Sequence, residues 1–287
     1  MPLSLFQIVV LGLIQGAAEL LPVSSSAHVI VAEKLMHLDP TAPEMTFLLV
    51  MLHTGTMFAV IAYFWKAWQG SFCSNREQLR TAIGNLAIAT VYTLAIAFTL
   101  KVVIEKVWAP NGDATEIESL FGNLTFIAAA LAAVGVFILV AGLAEKKDEP
   151  DVDMSFGAAG WIGVVQGLAI PFRGFSRSGS TISTGLLLKV NKPMAEQFSF
   201  ALGVILTPAA IGQELLRLLK ARHEAGGALH LGSLLAPGLI GMVCSFLAGL
   251  LALRLLSNLL KGGRWWWFGL YCLAFAAAVF ALARSGL

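Results

Sequence analysis

Residues 15–28 read QGAAELLPVSSSAH and interrupt an N-terminal segment that is otherwise almost wholly apolar. Pro22 ends or turns any helix that runs through the residues before it, because proline lacks a backbone donor and has a fixed φ. The serines that follow are preferred N-cap residues and predict that a second helix starts there. The stretch therefore predicts two short helices joined by a turn.

The bulk composition indicates that the chain folds in lipid. Hydrophobic residues make up 57% of the 287 residues, charged residues only 13%, and the mean hydropathy is +0.80. A soluble domain carries about 25% charged residues, so this chain could not cover a water-facing surface. The net charge is +2 without a basic stripe, so no nucleic acid partner is expected. Cys73, Cys244 and Cys272 show neither metal-ligand spacing nor a disulfide framework.

Six apolar runs are long enough to cross a bilayer, for which a helix needs about 20 residues. They are residues 44–65, 81–104, 120–143, 194–219, 233–256 and 265–284. Residues 4–38 and 157–191 are also apolar, but small, polar and turn-forming residues interrupt each of them near its middle. Each fits a re-entrant helix–loop–helix hairpin, because broken backbone is tolerated at membrane depth only inside protein or beside a wet cavity.

The two interrupted segments resemble each other. Residues 8–16 read IVVLGLIQG and residues 159–167 read AGWIGVVQG, so the shared glutamines are 151 residues apart. Each half then holds one hairpin and three spans, and an odd number of spans makes the second half enter from the opposite face. We predict a single all-α membrane domain over residues 1–287, an inverted repeat of halves 1–150 and 151–287 with a binding site between them.

The basic residues give a first indication of orientation. Lys66, Arg76 and Arg80 favour a cytoplasmic loop at 66–80, which would leave the acidic loop 105–119 outside. Basic residues at 146–147 and 261–264 agree with this arrangement, whereas those at 217–222 contradict it.

The first hairpin carries an acidic group. Gln15 and Glu19 are four residues apart and share one face of a helix. A glutamate in a membrane hairpin is costly unless it is paired, solvated or bound to a metal. Glu19, together with Gln15, is therefore a candidate ligand for a divalent cation.

The serines and the histidine of the same hairpin form a second group. Ser24, Ser25 and Ser26 lie at a helix N-terminus, where free backbone N–H groups bind phosphate. His28 follows within one turn, so we expect its imidazole beside one of these hydroxyls. A hydroxyl and a base are the minimum for an activated nucleophile.

The second hairpin supplies positive charge. Residues 173–181 read RGFSRSGST and contain Arg173 and Arg177. Arginine matches phosphate with a planar fork of donors, and at membrane depth it needs an anion nearby. The neighbouring small and hydroxyl residues are further candidates for phosphate binding: Ser176, Ser178, Gly179, Ser180 and Thr181. Together the hairpins would suit a phosphate or diphosphate and a divalent cation.

Each feature has an ordinary structural explanation when it is taken alone. Serines cap helices, a lone histidine packs, and an arginine snorkels to the interface. The functional interpretation depends on all of them falling in the two segments that break the span pattern and repeat each other. A non-enzymatic carrier remains the rival class, because paired broken helices in inverted repeats are typical of transporters.

Residues 15–28 together with GFSRSGSTIS at 174–183 resemble the undecaprenyl-diphosphatase family of bacterial inner membranes, also called the bacitracin-resistance family. The resemblance extends over nearly the whole chain and includes HTGT at 53–56 and FSFAL at 198–202. It implies that the terminal phosphate is removed from undecaprenyl diphosphate, which regenerates the carrier lipid of cell-wall synthesis. It also implies dependence on Mg²⁺ or Ca²⁺ and a site that opens to the periplasm, and it leaves a homodimer open. The carrier alternative becomes a polyprenyl-phosphate flippase without hydrolysis.

The resemblance also implies roles for individual residues. The motif (E/Q)-x-x-x-E falls on Gln15 and Glu19, P-x-S-S-x-x-H falls on residues 22–28, and the second motif's arginine is Arg177. Departures from the family pattern are Gln15 for a frequent Glu, Ala27 for Gly, Arg173 for Pro and Ile205 for Pro.

The mechanism expected at this stage assigns one role to each central residue. Ser25 attacks the terminal phosphate with His28 as general base, Arg177 neutralises the developing charge, and Glu19 holds the cation. Ser24 and Ser26 bind phosphate or cap the helix. Two variants stay open: His28 as the nucleophile, or His28 as an acid while metal-bound water attacks.

Overall fold

The computed structural model describes residues 3–40, 42–108, 122–144, 152–224 and 231–285. Ten α-helices lie within these ranges, together with one isolated bridge between Val152 and Val190. The helices are α1 (Leu5–Leu20), α2 (Ser25–Leu35), α3 (Pro43–Ser71), α4 (Arg76–Trp108), α5 (Leu124–Ala144), α6 (Phe156–Ala169), α7 (Arg177–Leu187), α8 (Lys192–Glu224), α9 (Leu231–Lys261) and α10 (Trp266–Arg284).

Six helices are long and apolar enough to cross a membrane, which confirms the six predicted spans. They are α3, α4, α5, α8, α9 and α10. Their bounds differ from those of the apolar runs, since α3 continues to Ser71 and α9 to Lys261. Backbone hydrogen bonding carries a helix past its apolar run, and a lysine in the last turn suits the negative end of the dipole. Residues 109–121 and 145–151, which carry part of the orientation prediction, lie outside the described residues.

The outer surface of the bundle is apolar. Phe98 and Leu251 on spanning helices and Phe6 on α1 are each about 70% exposed. Many more large apolar side chains on the spanning helices are exposed as well. Soluble proteins rarely expose contiguous apolar area of this kind. The chain is therefore a multi-pass membrane protein.

Four helices are too short to cross a bilayer alone. α1 and α2 have 16 and 11 residues, α6 and α7 have 14 and 11, and about 20 are needed. α1 pairs with α2, and α6 pairs with α7. α1 also packs on α9, α6 packs on α4, and α7 packs on α5 and α8.

Glycines of the repeated QG sequence allow these packings. A Cβ on Gly16 would lie 2.4 Å from the Ser245 carbonyl oxygen of α9. A Cβ on Gly167 would lie 2.8 Å from the Thr93 carbonyl oxygen of α4. Small residues let helix backbones approach closely in membranes. Each pair of short helices is thus held by a long helix from the other half of the chain.

The contact between α3 and α9 gives a test of the fold. A Cβ on Gly55 would lie 2.3 Å from the Met242 carbonyl oxygen, whereas a Cβ on Gly70 would meet nothing within 4 Å. We expect Gly55→Ala to destabilise the protein by about 1–3 kcal/mol through overpacking. Gly70→Ala, on the same helix, should be neutral or slightly stabilising because alanine favours helix. Thermal unfolding in detergent checks this, and equal midpoints for the two variants would contradict it.

Candidate active site

The turn between α1 and α2 is strained. α1 ends at Leu20 and α2 begins at Ser25, so Pro22 lies in the turn as predicted. Ser24 is the N-cap, and its side chain accepts from the Ala27 amide at 3.5 Å. Its φ of +67° lies in the left-handed region, which non-glycine residues rarely adopt. Backbone strain of this kind persists only where surrounding contacts hold it, and it clusters at functional sites.

The turn between α6 and α7 depends on one glycine. Gly174 has φ +101°, and a Cβ there would lie 2.5 Å from the Ile127 carbonyl oxygen of α5. Both the dihedral and the close approach require glycine. Ser176 then caps α7 by accepting from the Gly179 amide at 3.2 Å. α7 therefore starts at Arg177, which places this side chain at the helix N-terminus.

The two turns meet. The Gly174 amide donates to Ser26 Oγ at 3.2 Å, and Ser178 Oγ donates to the Leu21 carbonyl at 3.4 Å. Arg177 Nη2 lies 3.5 Å from Glu19 Oε1. Polar groups that are 148 to 158 residues apart in sequence are thereby joined in one site.

A cavity of about 190 Å³ lies between the turns. Its polar lining comes from both turns and comprises Glu19, Ser24, Ser25, Ser26, Arg173, Ser176, Arg177 and Ser178. Its apolar lining comprises Ala18, Ala169, Ile170, Phe172 and Phe175. One acidic group, two cations and several hydroxyls therefore face a single space that a small anion can enter.

Three side chains of the site contact the Glu19 carboxylate. Ser25 Oγ donates to Glu19 Oε2 at 2.5 Å, and Gln15 Nε2 donates to the same oxygen at 3.2 Å. The other oxygen faces Arg177. A hydroxyl that donates to a carboxylate already has a proton acceptor in place, so Ser25 can act as a nucleophile.

Arg177 is held by two elements. Besides its contact with Glu19, its Nη1 donates to the Ser199 carbonyl of α8 at 3.4 Å. Gly203, one turn further along α8, leaves room for the guanidinium, since a Cβ there would lie 2.5 Å from Nη1. Ser199 and Gly203 were not singled out as site residues, although Ser199 lies within the quoted FSFAL stretch.

His28 faces α10. Its Nδ1 is 2.8 Å from the Ser24 carbonyl oxygen, its Nε2 is 2.8 Å from Tyr271 Oη, and its ring stacks on Phe275 at 4.0 Å. The expected contact with a serine hydroxyl is replaced by one with the Ser24 backbone carbonyl, which also accepts from the His28 amide at 3.4 Å. His28 is not among the residues that line the cavity.

The remaining predicted site residues divide into two groups. Ser176 and Ser178 line the cavity, whereas Gly179, Ser180 and Thr181 are buried in α7 outside its lining. Ser180 Oγ and Thr181 Oγ1 donate to the Arg177 carbonyl at 2.9 and 2.8 Å. The hydroxyls of Ser180 and Thr181 therefore donate within α7 itself. Phosphate binding by Gly179, Ser180 and Thr181 stays a prediction.

Comparison with models of known protein families identifies the family of this chain. The family model described as bacitracin resistance protein BacA matches residues 8–278. The chain belongs to the BacA family. The match runs from within α1 to within α10 and so includes α2 to α9 completely.

Curated BacA-type relatives cover nearly the full chain. A protein of Acinetobacter baylyi named undecaprenyl-diphosphatase 2 is 52% identical over 98% of this chain and 99% of its own. A protein of the same name from Burkholderia thailandensis is 33% identical over 94% of each chain. Undecaprenyl-diphosphatase of Desulforapulum autotrophicum is 31% identical over 94% of this chain and 95% of its own.

The residues of this BacA-family site fit a divalent cation only together with a substrate. No group of three or more His, Cys, Asp or Glu side chains with metal-site geometry occurs in the described ranges. Glu19 is the one carboxylate among the described residues that line the cavity, and the predicted second ligand, Gln15, lies outside the lining and donates its amide N–H to Glu19. Mg²⁺ is commonly held by one or two carboxylates plus substrate phosphates. The donor set therefore suits a cation that arrives with, or is completed by, a phosphate-bearing substrate.

The contact between Tyr271 and His28 predicts a modest role for Tyr271 in this BacA-family site. Tyr271→Phe removes one hydrogen bond to the imidazole, so we expect kcat for phosphate release to fall about 2–10-fold. Tyr63→Phe is the matched control, because Tyr63 donates to Ser257 at 3.0 Å away from the cavity. Steady-state rates of both variants check this. Equal rates would show that the contact does not orient His28.

Proposed function

We propose that this protein is an undecaprenyl-diphosphate phosphatase, which hydrolyses undecaprenyl diphosphate to undecaprenyl phosphate and phosphate. The observation that carries the proposal is Ser25 hydrogen-bonded to Glu19 beside Arg177, in a cavity lined by cations and hydroxyls. The relatives named undecaprenyl-diphosphatase share up to 52% identity with nearly the whole chain. The product is the carrier lipid of cell-wall synthesis, and the family model that matches the chain is described as a bacitracin resistance protein.

The reaction begins with Ser25. Its Oγ attacks the terminal phosphorus, a P–O bond forms, and the bond to the bridging oxygen breaks, so undecaprenyl phosphate leaves. Glu19 is the proton acceptor that the geometry supplies, at 2.5 Å from Ser25 Oγ. His28, the base expected from the sequence, reaches this position only by leaving Tyr271. Water then hydrolyses the phosphoserine and releases phosphate.

Arg177 provides the positive charge for the transferred phosphoryl group. Phosphoryl transfer is catalysed mainly by positioning and charge neutralisation. The Glu19 carboxylate and the Ser199 carbonyl fix the guanidinium before substrate arrives, so little reorganisation is needed. Backbone N–H groups at the start of α7 and the hydroxyl of Ser176 add donors to the same space.

A divalent cation, Mg²⁺ or Ca²⁺, is part of the proposal. Glu19, with the side-chain oxygen of Gln15, would hold it. When bound, it would neutralise charge on the phosphate oxygens. A bound cation would compete with the Ser25 proton for the Glu19 carboxylate. The dependence of the rate on cation concentration therefore tests which of these two roles Glu19 has.

The two pairs of short helices are proposed to be re-entrant hairpins related by an inverted repeat. The packing supports this, because α1 contacts α9 while α6 contacts α4, and both contacts use the glycine of a QG sequence. The hairpin tips would then place the cavity near the membrane midplane.

We place the protein in the bacterial plasma membrane with its cavity open to the periplasm. This arrangement puts the loop between α3 and α4, which contains the exposed Cys73, in the cytoplasm. A membrane-impermeant maleimide should therefore fail to label Cys73 in intact cells and label it after permeabilisation. Labelling in intact cells would reverse the orientation.

Phosphate release tests the proposed activity directly. The purified protein in detergent should release phosphate from a polyprenyl diphosphate, lose that activity with a chelator, and regain it with Mg²⁺ or Ca²⁺. A carrier without hydrolysis would release no phosphate under any of these conditions.

A further inference from the structure

The lining of the cavity changes from buried polar groups to exposed side chains. Ser24, Ser176 and Ser178 are each at most 5% exposed. Ile170 and Arg173 line the same cavity, yet Ile170 is 50% exposed and Arg173 is exposed as well. An exposed side chain that lines a cavity lies where the cavity meets the protein surface. One apolar and one cationic side chain therefore stand together at the opening.

The opening is formed by one short segment of the second hairpin. Ile170, Phe172 and Arg173 all lie in the turn between α6 and α7, and we call these three residues the mouth of the cavity. The Phe172 ring lies 5.9 Å from that of Phe126 on α5. The Phe172 carbonyl accepts from the Phe175 amide at 3.0 Å. The turn that carries the mouth is thus held by contacts that need no ligand.

Arg173 gives the mouth a positive charge that the inner part of the cavity does not balance. Glu19 and Arg177 lie 3.5 Å apart, so their charges largely cancel each other. The ion pairs among the described residues do not include Arg173. The described lining therefore carries a net positive charge, and the exposed guanidinium offers phosphate a planar fork of donors.

The direction of attack indicates which part of the substrate reaches the mouth. Attacking and leaving oxygens are roughly in line in phosphoryl transfer. Ser25 Oγ attacks from beside Glu19, so the phosphate that stays on the lipid lies on the far side of the terminal phosphorus. The prenyl chain beyond that phosphate must leave the cavity where an apolar surface is exposed. Ile170 is the exposed apolar residue among the described lining residues.

We propose that the mouth binds the lipid end of the substrate. Arg173 holds the phosphate that stays on the lipid, and Ile170 and Phe172 contact the first isoprene units. The inner part of the cavity, with Arg177, takes the phosphoryl group that is transferred. This inference rests on the proposed function and deepens it, because it assigns to the mouth one chemical class of ligand: a prenyl monophosphate, in which an anion is joined directly to an apolar chain.

Two non-reacting probes separate the mouth from the inner part of the cavity. Geranyl phosphate carries a short prenyl chain and represents the lipid product, whereas inorganic phosphate represents the other product. Arg173→Gln should weaken the calorimetric affinity of the purified protein for geranyl phosphate about tenfold and that for inorganic phosphate less than about twofold. Arg254→Gln, which replaces an exposed arginine outside the lining, should change neither affinity. Equal losses for both probes in Arg173→Gln would refute the assignment of Arg173 to the lipid phosphate.

A second pair of variants tests the contact with the prenyl chain. Ile170→Ala removes apolar area at the mouth, so the affinity for geranyl phosphate should fall about 3-fold while that for inorganic phosphate is unchanged. Leu187→Ala is the matched control, because Leu187 is 40% exposed on α7 outside the lining, and it should affect neither probe. Ile170→Thr keeps the branched shape and should act in the same direction if the alanine variant does not fold. An unchanged affinity for geranyl phosphate would overturn the proposed contact.

Phosphate release distinguishes a failure of this inference from a failure of the proposed function. If the native protein hydrolyses a polyprenyl diphosphate but the variants do not separate the two probes, the mouth has no such role and the proposed function stands. If the probes are separated as expected but no phosphate is released, the proposed function fails and the prenyl-phosphate site stands.

Discussion

Replacing Arg177 by alanine should lower kcat for phosphate release about 10³-fold or more. An arginine aimed at a transferring phosphoryl group contributes 10³–10⁵ in comparable reactions. Here the guanidinium is fixed between Glu19 and the Ser199 carbonyl, and no other cation in the described part of the cavity has such support from two helices. Removal of Arg177 also leaves the Glu19 carboxylate without its partner in the ion pair. The variant therefore loses both the positive charge that faces the phosphoryl group and the contact that positions Glu19.

Two further variants separate these contributions. Arg177→Lys restores the charge but not the planar fork that spans Glu19 and Ser199, so we expect it to recover only a small part of the lost rate. Arg254→Gln, an exposed arginine of α9 outside the cavity lining, should keep the native rate. Initial rates at saturating polyprenyl diphosphate check all three. A kcat above about one tenth of the native value for Arg177→Ala would exclude the proposed role.

The spanning helices could be predicted because lipid requires every side chain that faces it to be apolar. All six apolar runs became helices, since an apolar run of this length must satisfy its backbone within itself. The helix ends were less predictable. α3 continues through Lys66 to Ser71, because hydropathy marks where lipid ends, whereas backbone hydrogen bonding decides where a helix ends.

The turns of the site could be predicted for a different reason. Pro22 and the Ser24 cap act through local backbone geometry, which sequence reveals directly. The sequence pattern also grouped Glu19, Ser25 and Arg177, and the structure brings these three together.

Partners from distant helices could not be predicted. Tyr271 lies 243 residues from His28, and Ser199 meets Arg177 only because α8 packs on α7. Arg173, which was predicted to bind phosphate and which departs from the family pattern, lines the cavity in the structure.

Ser25→Ala should reduce phosphate release at least about a hundredfold, because the attacking oxygen is lost. Ser26→Ala is the matched control. It removes a neighbouring hydroxyl that lines the cavity and accepts from the Gly174 amide but does not attack phosphorus, so we expect less than about a tenfold loss. If Ser25→Ala retains native activity, water or His28 is the nucleophile.

The identity of the group that carries the phosphate decides among these alternatives. Substrate labelled in its terminal phosphate, mixed with the protein and quenched in parallel in acid and in neutral denaturant, should leave label on Ser25 that survives the acid. His28→Gln should still form this adduct, because Glu19 and not His28 accepts the Ser25 proton in the structure. Glu19→Gln should form it at least about a hundredfold more slowly. Acid-labile label that disappears in His28→Gln would instead assign the attack to the imidazole, which would then have to leave the ring of Phe275 and the hydroxyl of Tyr271 before each turnover.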